Sequence, residues 1–201
     1  MSGHVRIVGL GGSSRPGSVS AAALRLALDH ATALGAETSM LNVADLDLPP
    51  YPVAVASGGR TDDAIRLVKE VRAADGMIVS VPCYHGTIGG QLKNAIDYFE
   101  DLAGDAERPY LTGTAMGIVT VASGWIAAVG TVTTVRAVAH AVRAWPTPLA
   151  VPITTRMDPV FDADGNCTDP RTDMRLKAMA HEVHEFARMR QALPAVAEQP
   201  S

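Results

Sequence analysis

Hydrophobic positions along the chain alternate between two periods. Residues 5–10 form a compact, largely β-branched apolar run that ends in glycines, which predicts a short buried strand closed by a breaker. Positions 19–34 then carry Val19, Ala23, Leu26, Ala27 and Leu34, a helical spacing. Residues 37–43 alternate polar and apolar, as in a strand with one face in water, and this second strand is placed at the edge of a sheet. Pro49-Pro50-Tyr51-Pro52 follows and reads as an irregular connection.

The same sequence of events recurs. Thr61 is a candidate N-cap with Asp62 and Asp63 in the first turn, and Ile65, Val68 and Val71 give the inner face of a helix over 61–74. A strand over 77–81 is apolar apart from Ser80, a helix is predicted over 90–101, and 115–121 is another buried strand. A helix over 127–144, a short strand over 148–153 and a helix over 171–190 complete the chain, the last with an apolar stripe at Leu176, Met179, Val183 and Phe186. Five strands alternate with five helices. Regular βα alternation selects a parallel sheet covered on both faces, because right-handed crossovers lay each helix back on the sheet. One domain is expected over 1–193, with a loosely ordered tail over 194–201.

Composition narrows the class. With 201 residues, 47% hydrophobic and 19% charged, the chain can fill one core unaided. A net charge of -4 without any Lys/Arg cluster argues against nucleic acid or an anionic membrane as the main partner. Cys83 and Cys167 are too few and too far apart for a disulfide framework, which suits a reducing cytoplasm. The first residues lack the features of a signal peptide, and no stretch reaches the ~18 apolar residues of a membrane span.

In such a sheet, ligands bind beyond the carboxyl ends of the strands, so three loops matter: 9–20, 82–90 and 122–125. The first, Gly12-Ser13-Ser14-Arg15-Pro16-Gly17-Ser18, places hydroxyls and a guanidinium among glycines where a helix begins. Free N–H groups and the positive dipole end favour a phosphate there. The plainer alternative is a tight turn with a serine cap, but a turn has no use for the guanidinium of Arg15. The loop is neither a Walker loop nor a GxGxxG fingerprint, which disfavours a nucleoside triphosphate. The second loop combines Pro82 and Tyr84 with Gly86, Gly89 and Gly90, so backbone can approach a flat ring closely.

Single residues leave alternatives open. Cys83 is read as an apolar filler with no redox role. His85 is either a donor to the ligand or a surface histidine that steadies its loop. Trp125 either forms a wall for a nicotinamide or aromatic acceptor or packs at an interface. His181, Glu182, His184 and Glu185 lack HExxH spacing and read as a solvated helix face, and Asp162-Ala163-Asp164-Gly165-Asn166 as a turn, so no metal is predicted.

Residues 82–97, with Tyr84, Gly86, Gly90 and Leu92-Lys93-Asn94-Ala95-Ile96-Asp97, resemble the signature of NAD(P)H-dependent FMN reductases. Gly12, Ser13, Arg15 and Ser18 match that family's Gly-Ser-x-Arg-x-x-Ser pattern, and the order of elements agrees over about 4–186. The resemblance implies a flavodoxin-like, doubly wound, five-stranded parallel sheet in a three-layer α/β/α arrangement. It implies FMN as cofactor and NADPH or NADH as electron donor. Ser13, Arg15, Ser18 and Ser20 would hold the phosphate, and Pro82, Cys83, Tyr84, His85 and Gly86 would border the isoalloxazine. Ser123 and Gly124 would meet the ring's other edge, with Trp125 at the substrate. Members are usually homodimers or homotetramers. Many have an acidic residue after the proline and an asparagine after the tyrosine; here those positions are Cys83 and His85.

The activity implied is hydride transfer from NAD(P)H to flavin with no obligate catalytic side chain, which could supply reduced flavin to a separate monooxygenase. A reductase of quinones or azo compounds with retained FMN is the alternative. A flavodoxin-type electron carrier is a third reading, disfavoured by the mild net charge.

Overall fold

The computed structural model describes residues 4–15, 17–156 and 159–193; the predicted tail over 194–201 lies outside them. The elements run β1 (Arg6–Gly11), α1 (Val19–Ala33), β2 (Glu37–Asn42), α2 (Tyr51–Ala56), α3 (Asp62–Ala73), β3 (Gly76–Tyr84), β4 (Thr87–Ile88), α4 (Gly90–Asp97), β5 (Ala115–Ala122), α5 (Trp125–Ala141), β6 (Trp145–Thr154) and α6 (Pro170–Ala192). The five long strands are parallel in the order β2-β1-β3-β5-β6. The chain therefore winds outward from β1 in one direction and from β3 in the other, and β2 is an edge strand as its alternation predicts.

Alternate residues of each strand feed opposite layers. Met77, Val79 and Val81 of β3 join Leu67 and Val71 of α3, Leu92 of α4 and Val135 of α5 in one core. Ile78 joins Leu24 and Leu28 of α1 and Leu176, Met179 and Val183 of α6 in the other. Thr61 caps α3 as its sequence suggests: its hydroxyl accepts from the Ala64 N–H at 3.1 Å and donates to the Asp47 carbonyl at 2.6 Å. Thr61→Ala should lower unfolding stability by about 1–2 kcal/mol, measured by urea titration.

Four local expectations are revised. The 49–52 segment is not simply irregular, because Tyr51–Ala56 makes a short helix held by tertiary bonds. Asn94 of α4 accepts from the Tyr51 N–H at 2.8 Å and donates to the Leu48 and Pro49 carbonyls at 3.1 Å. The last strand starts at Trp145 rather than 148: Pro146 pairs with Met116, and a register shift before Ile118 absorbs the irregularity, as an edge strand permits. Helix α5 begins two residues early at Trp125 and stops at Ala141, where Arg143 turns the chain at φ 61. The face of α6 read as solvated is partly buried, since the Glu182 carboxylate accepts the Leu149 N–H at 2.9 Å and His184 is enclosed. Burial pushes the His184 pKa down, favouring the neutral ring.

On the surface, hydrogen bonds from Arg72 and from backbone N–H groups hold the Asp105 carboxyl at about 2, below its ordinary 3.8. A depressed folded-state pKa contributes stability above pH 3.8 that is lost as the pH falls toward 2. Asp105→Asn should flatten the acid limb of the stability profile in that window, followed by circular dichroism.

Candidate functional site

At the carboxyl end of β1 the chain passes so close to two neighbours that only glycine fits. A Cβ on Gly12 would lie 2.8 Å from Leu92 Cδ2 and 2.9 Å from both Leu92 Cβ and Pro82 Cδ. The Gly12 N–H donates to the Ser80 carbonyl at 2.9 Å. This contact brings the first loop against the start of the second.

Beyond Gly12 the loop presents hydroxyls in a defined state. Ser13 Oγ accepts from the Arg15 N–H at 3.2 Å. Ser18 Oγ caps α1 by accepting from the Ala21 N–H at 3.2 Å, and it lies 3.2 Å from Ser20 Oγ. An oxygen that accepts from a backbone N–H keeps its own proton to donate, so Ser13 and the Ser18–Ser20 pair, all buried, each have a proton to offer. The N–H groups of Val19 and Ser20 in the first helical turn meet no acceptor among the described residues. The exposed Arg15 guanidinium likewise makes no ion pair among them.

The second loop is a hairpin, which the sequence reading lacked. Cys83 and Tyr84 at the end of β3 pair antiparallel with Ile88 and Thr87 of β4. His85 at φ 52 and Gly86 at φ 79 make the two-residue turn, the left-handed pair that matches strand twist. The signal was a two-residue His-Gly spacer between short runs, masked because the runs are so brief. The Tyr84 ring lies against Gly89, where a Cβ would come within 3.2 Å of it.

The third loop follows β5. The Ser123 carbonyl accepts from the Thr154 hydroxyl at 3.0 Å, and the Ala122 carbonyl from the Thr155 N–H at 2.9 Å. The end of β6 thereby buttresses this edge.

A cleft of about 380 Å³ opens among the three loops. Ser13, Arg15, Ser18 and Ser20 line one end, Pro82, Cys83, Tyr84 and His85 another side, and Ser123 the far edge. Of the residues predicted for the site, Gly86, Gly124 and Trp125 do not line it. Gly86 is the outer half of the hairpin turn, Gly124 caps α5, and Trp125 opens that helix half-exposed. Val19, Val121, Ala122 and Thr155 line it unpredicted; Thr155 follows a strand's carboxyl end, where the rule for such sheets points.

Among the described residues the lining includes no carboxylate, and its titratable groups are Arg15, Cys83, Tyr84 and His85. Burial pushes the Cys83 thiol up, so it is a poor nucleophile at neutral pH. Donor hydroxyls, free helix-start amides and one guanidinium at one end fit a phosphate. The aromatic and backbone-lined remainder fits a planar ring. The residues present therefore fit a flavin mononucleotide.

A doubly wound sheet with its cleft at the switch between β1 and β3 defines an α/β protein of the flavodoxin-like class. The chain belongs to the NADPH-dependent FMN reductase family, whose profile matches residues 5–157. It is 33% identical over 99 residues to an NAD(P)H-dependent FMN reductase of Pseudomonas aeruginosa, covering 49% of this chain and 51% of that protein. It is 32% identical over 123 residues to a quinone reductase of Escherichia coli, covering 59% and 64%. The chain spans about half the length of the first of these relatives. An NADH:FMN oxidoreductase in its apo form shares the fold at a TM-score of 0.72 and 20% identity, over 94% of this chain and 92% of that one.

Proposed function

We propose that this protein is an NAD(P)H-dependent FMN reductase whose cleft holds FMN with its phosphate on the first loop and its ring beside the second. The observation that carries this reading is the single cleft that joins the Ser13, Arg15, Ser18 and Ser20 cradle to Pro82, Cys83, Tyr84, His85 and Ser123. A bound flavin would supply the redox chemistry, hydride and electron transfer between NADPH or NADH and an acceptor.

The protein's part is to bind, orient and shield. Ser13 and Ser18 hydroxyls and the Arg15 guanidinium hold the phosphate and so fix one end of the ligand. Backbone N–H groups of the Pro82 to Gly86 hairpin supply donors for negative charge on the ring. The left-handed turn at His85 and Gly86 keeps that backbone in one shape, and Gly124 and Trp125 border the open side where a nicotinamide or acceptor enters. The wall has no carboxylate among the described residues and burial pushes the Cys83 thiol up, so neither a nucleophile nor an obligate general base is assigned.

A quinone acceptor with retained FMN is the second reading, favoured by the similarity to the quinone reductase of Escherichia coli. NADPH oxidation with free FMN against a quinone decides between them: a strong preference for the quinone overturns the first. Release of reduced flavin to a monooxygenase belongs to the first reading alone. A homodimer or homotetramer is supported by the start of α5, where Trp125, Ile126 and Val129 are exposed; sedimentation velocity tests it. Location in the cytoplasm accords with two free thiols and with the absence, among the described residues, of a helix able to cross a membrane.

A further inference from the structure

One polar side chain interrupts the apolar strand β3 at a place where it cannot touch any ligand. Ser80 is fully buried, and it is not part of the cleft wall. On β3 it occupies the face that Ile78 presents to α1 and α6, where strand alternation would put another apolar residue. A buried hydroxyl there costs free energy unless it is hydrogen-bonded. Its Oγ donates to the Ser20 carbonyl in the first turn of α1 at 2.7 Å.

The same residue grips the other side of the loop, since its carbonyl accepts the Gly12 N–H at 2.9 Å. Ser80 therefore holds both ends of the 12–20 segment. It also lies two residues before Pro82, where the ring loop begins. Ser20 in turn stands 3.2 Å from the Ser18 hydroxyl, so the bond from Ser80 reaches the phosphate donors through one intermediate residue.

We infer that Ser80 is a positioning residue that locks the phosphate cradle to the ring loop at a fixed separation. This rests on the FMN reading above. The ligand it serves has an anionic end and a ring end, and Ser80 sets the distance between them. A hydroxyl retained only to satisfy itself would stabilise the fold without discriminating between flavins. One that positions the cradle acts on the phosphorylated ligand alone.

The test titrates the flavin-free protein and its Ser80→Ala variant with FMN and with riboflavin, followed by flavin fluorescence. Ser80→Ala should bind FMN about tenfold more weakly, as when the unlocked cradle holds its binding geometry about a tenth of the time, with riboflavin affinity and the circular dichroism spectrum unchanged. Equal FMN affinity in both proteins overturns the inference, as does an equal loss for FMN and riboflavin. If Ser80→Ala does not fold, Ser80→Cys, of similar size and with a weaker donor, is read against the same two outcomes. Wild-type protein that takes up no FMN would overturn the underlying functional reading instead.

Discussion

Gly12→Ala should cost about 1–3 kcal/mol of stability, the range for overpacking a tight contact, and should strip the protein of retained FMN. The new methyl would meet Leu92 Cβ and Pro82 Cδ at 2.9 Å. Neither atom is the free end of a flexible chain: one is fixed to the backbone of α4 and the other belongs to a ring. The strain is relieved only by moving the first loop away from the second, which breaks the Gly12 to Ser80 hydrogen bond and widens the cleft at its waist. Urea unfolding of the flavin-free variant and its flavin content after gel filtration check the two effects. Wild-type flavin content in a destabilised Gly12→Ala protein would show that the loop separation does not govern binding.

Arg15→Ala should weaken FMN binding by about ten- to a hundredfold, as expected for removal of a charge-assisted contact to phosphate. The exposed guanidinium belongs at the lower end of that range, because water screens it. The fold should be untouched, since the side chain makes no ion pair among the described residues. Added salt should shrink the difference between the two proteins. Arg15→Lys should recover part of the affinity, a point charge replacing a fork of donors. Unchanged affinity in Arg15→Ala would place the phosphate elsewhere.

Much of this was legible in the chain because the signals were local. Ser18 and Thr61 cap their helices, and both stand in patterns that also announce what they begin. The first loop could be read as an anion site from residue types alone, since hydroxyls, glycines and a guanidinium at a helix start have few other uses. The features the chain does not announce depend on distant partners. Helix α2 is too short and too proline-rich to stand on propensity, and it forms because Asn94 of α4 holds its start. The hairpin at His85 and Gly86 rests on two residue pairs, fewer than any period can reveal. Ser123 lines the cleft while Trp125 opens α5 half-exposed beside that lining, a difference that depends on where the helix starts. Thr155 needed knowledge of where β6 ends.

The phosphorus-31 resonance of bound FMN, recorded from pH 5 to 8, tests the central claim most directly. Free FMN titrates with a second phosphate pKa of about 6. If Ser13, Arg15, Ser18 and the start of α1 hold the phosphate, those donors stabilise the dianion, and the resonance should be displaced from that of free FMN and unchanged with pH across this range. A resonance that titrates near pH 6 as in free solution would contradict the cradle and, with it, the placement of the flavin.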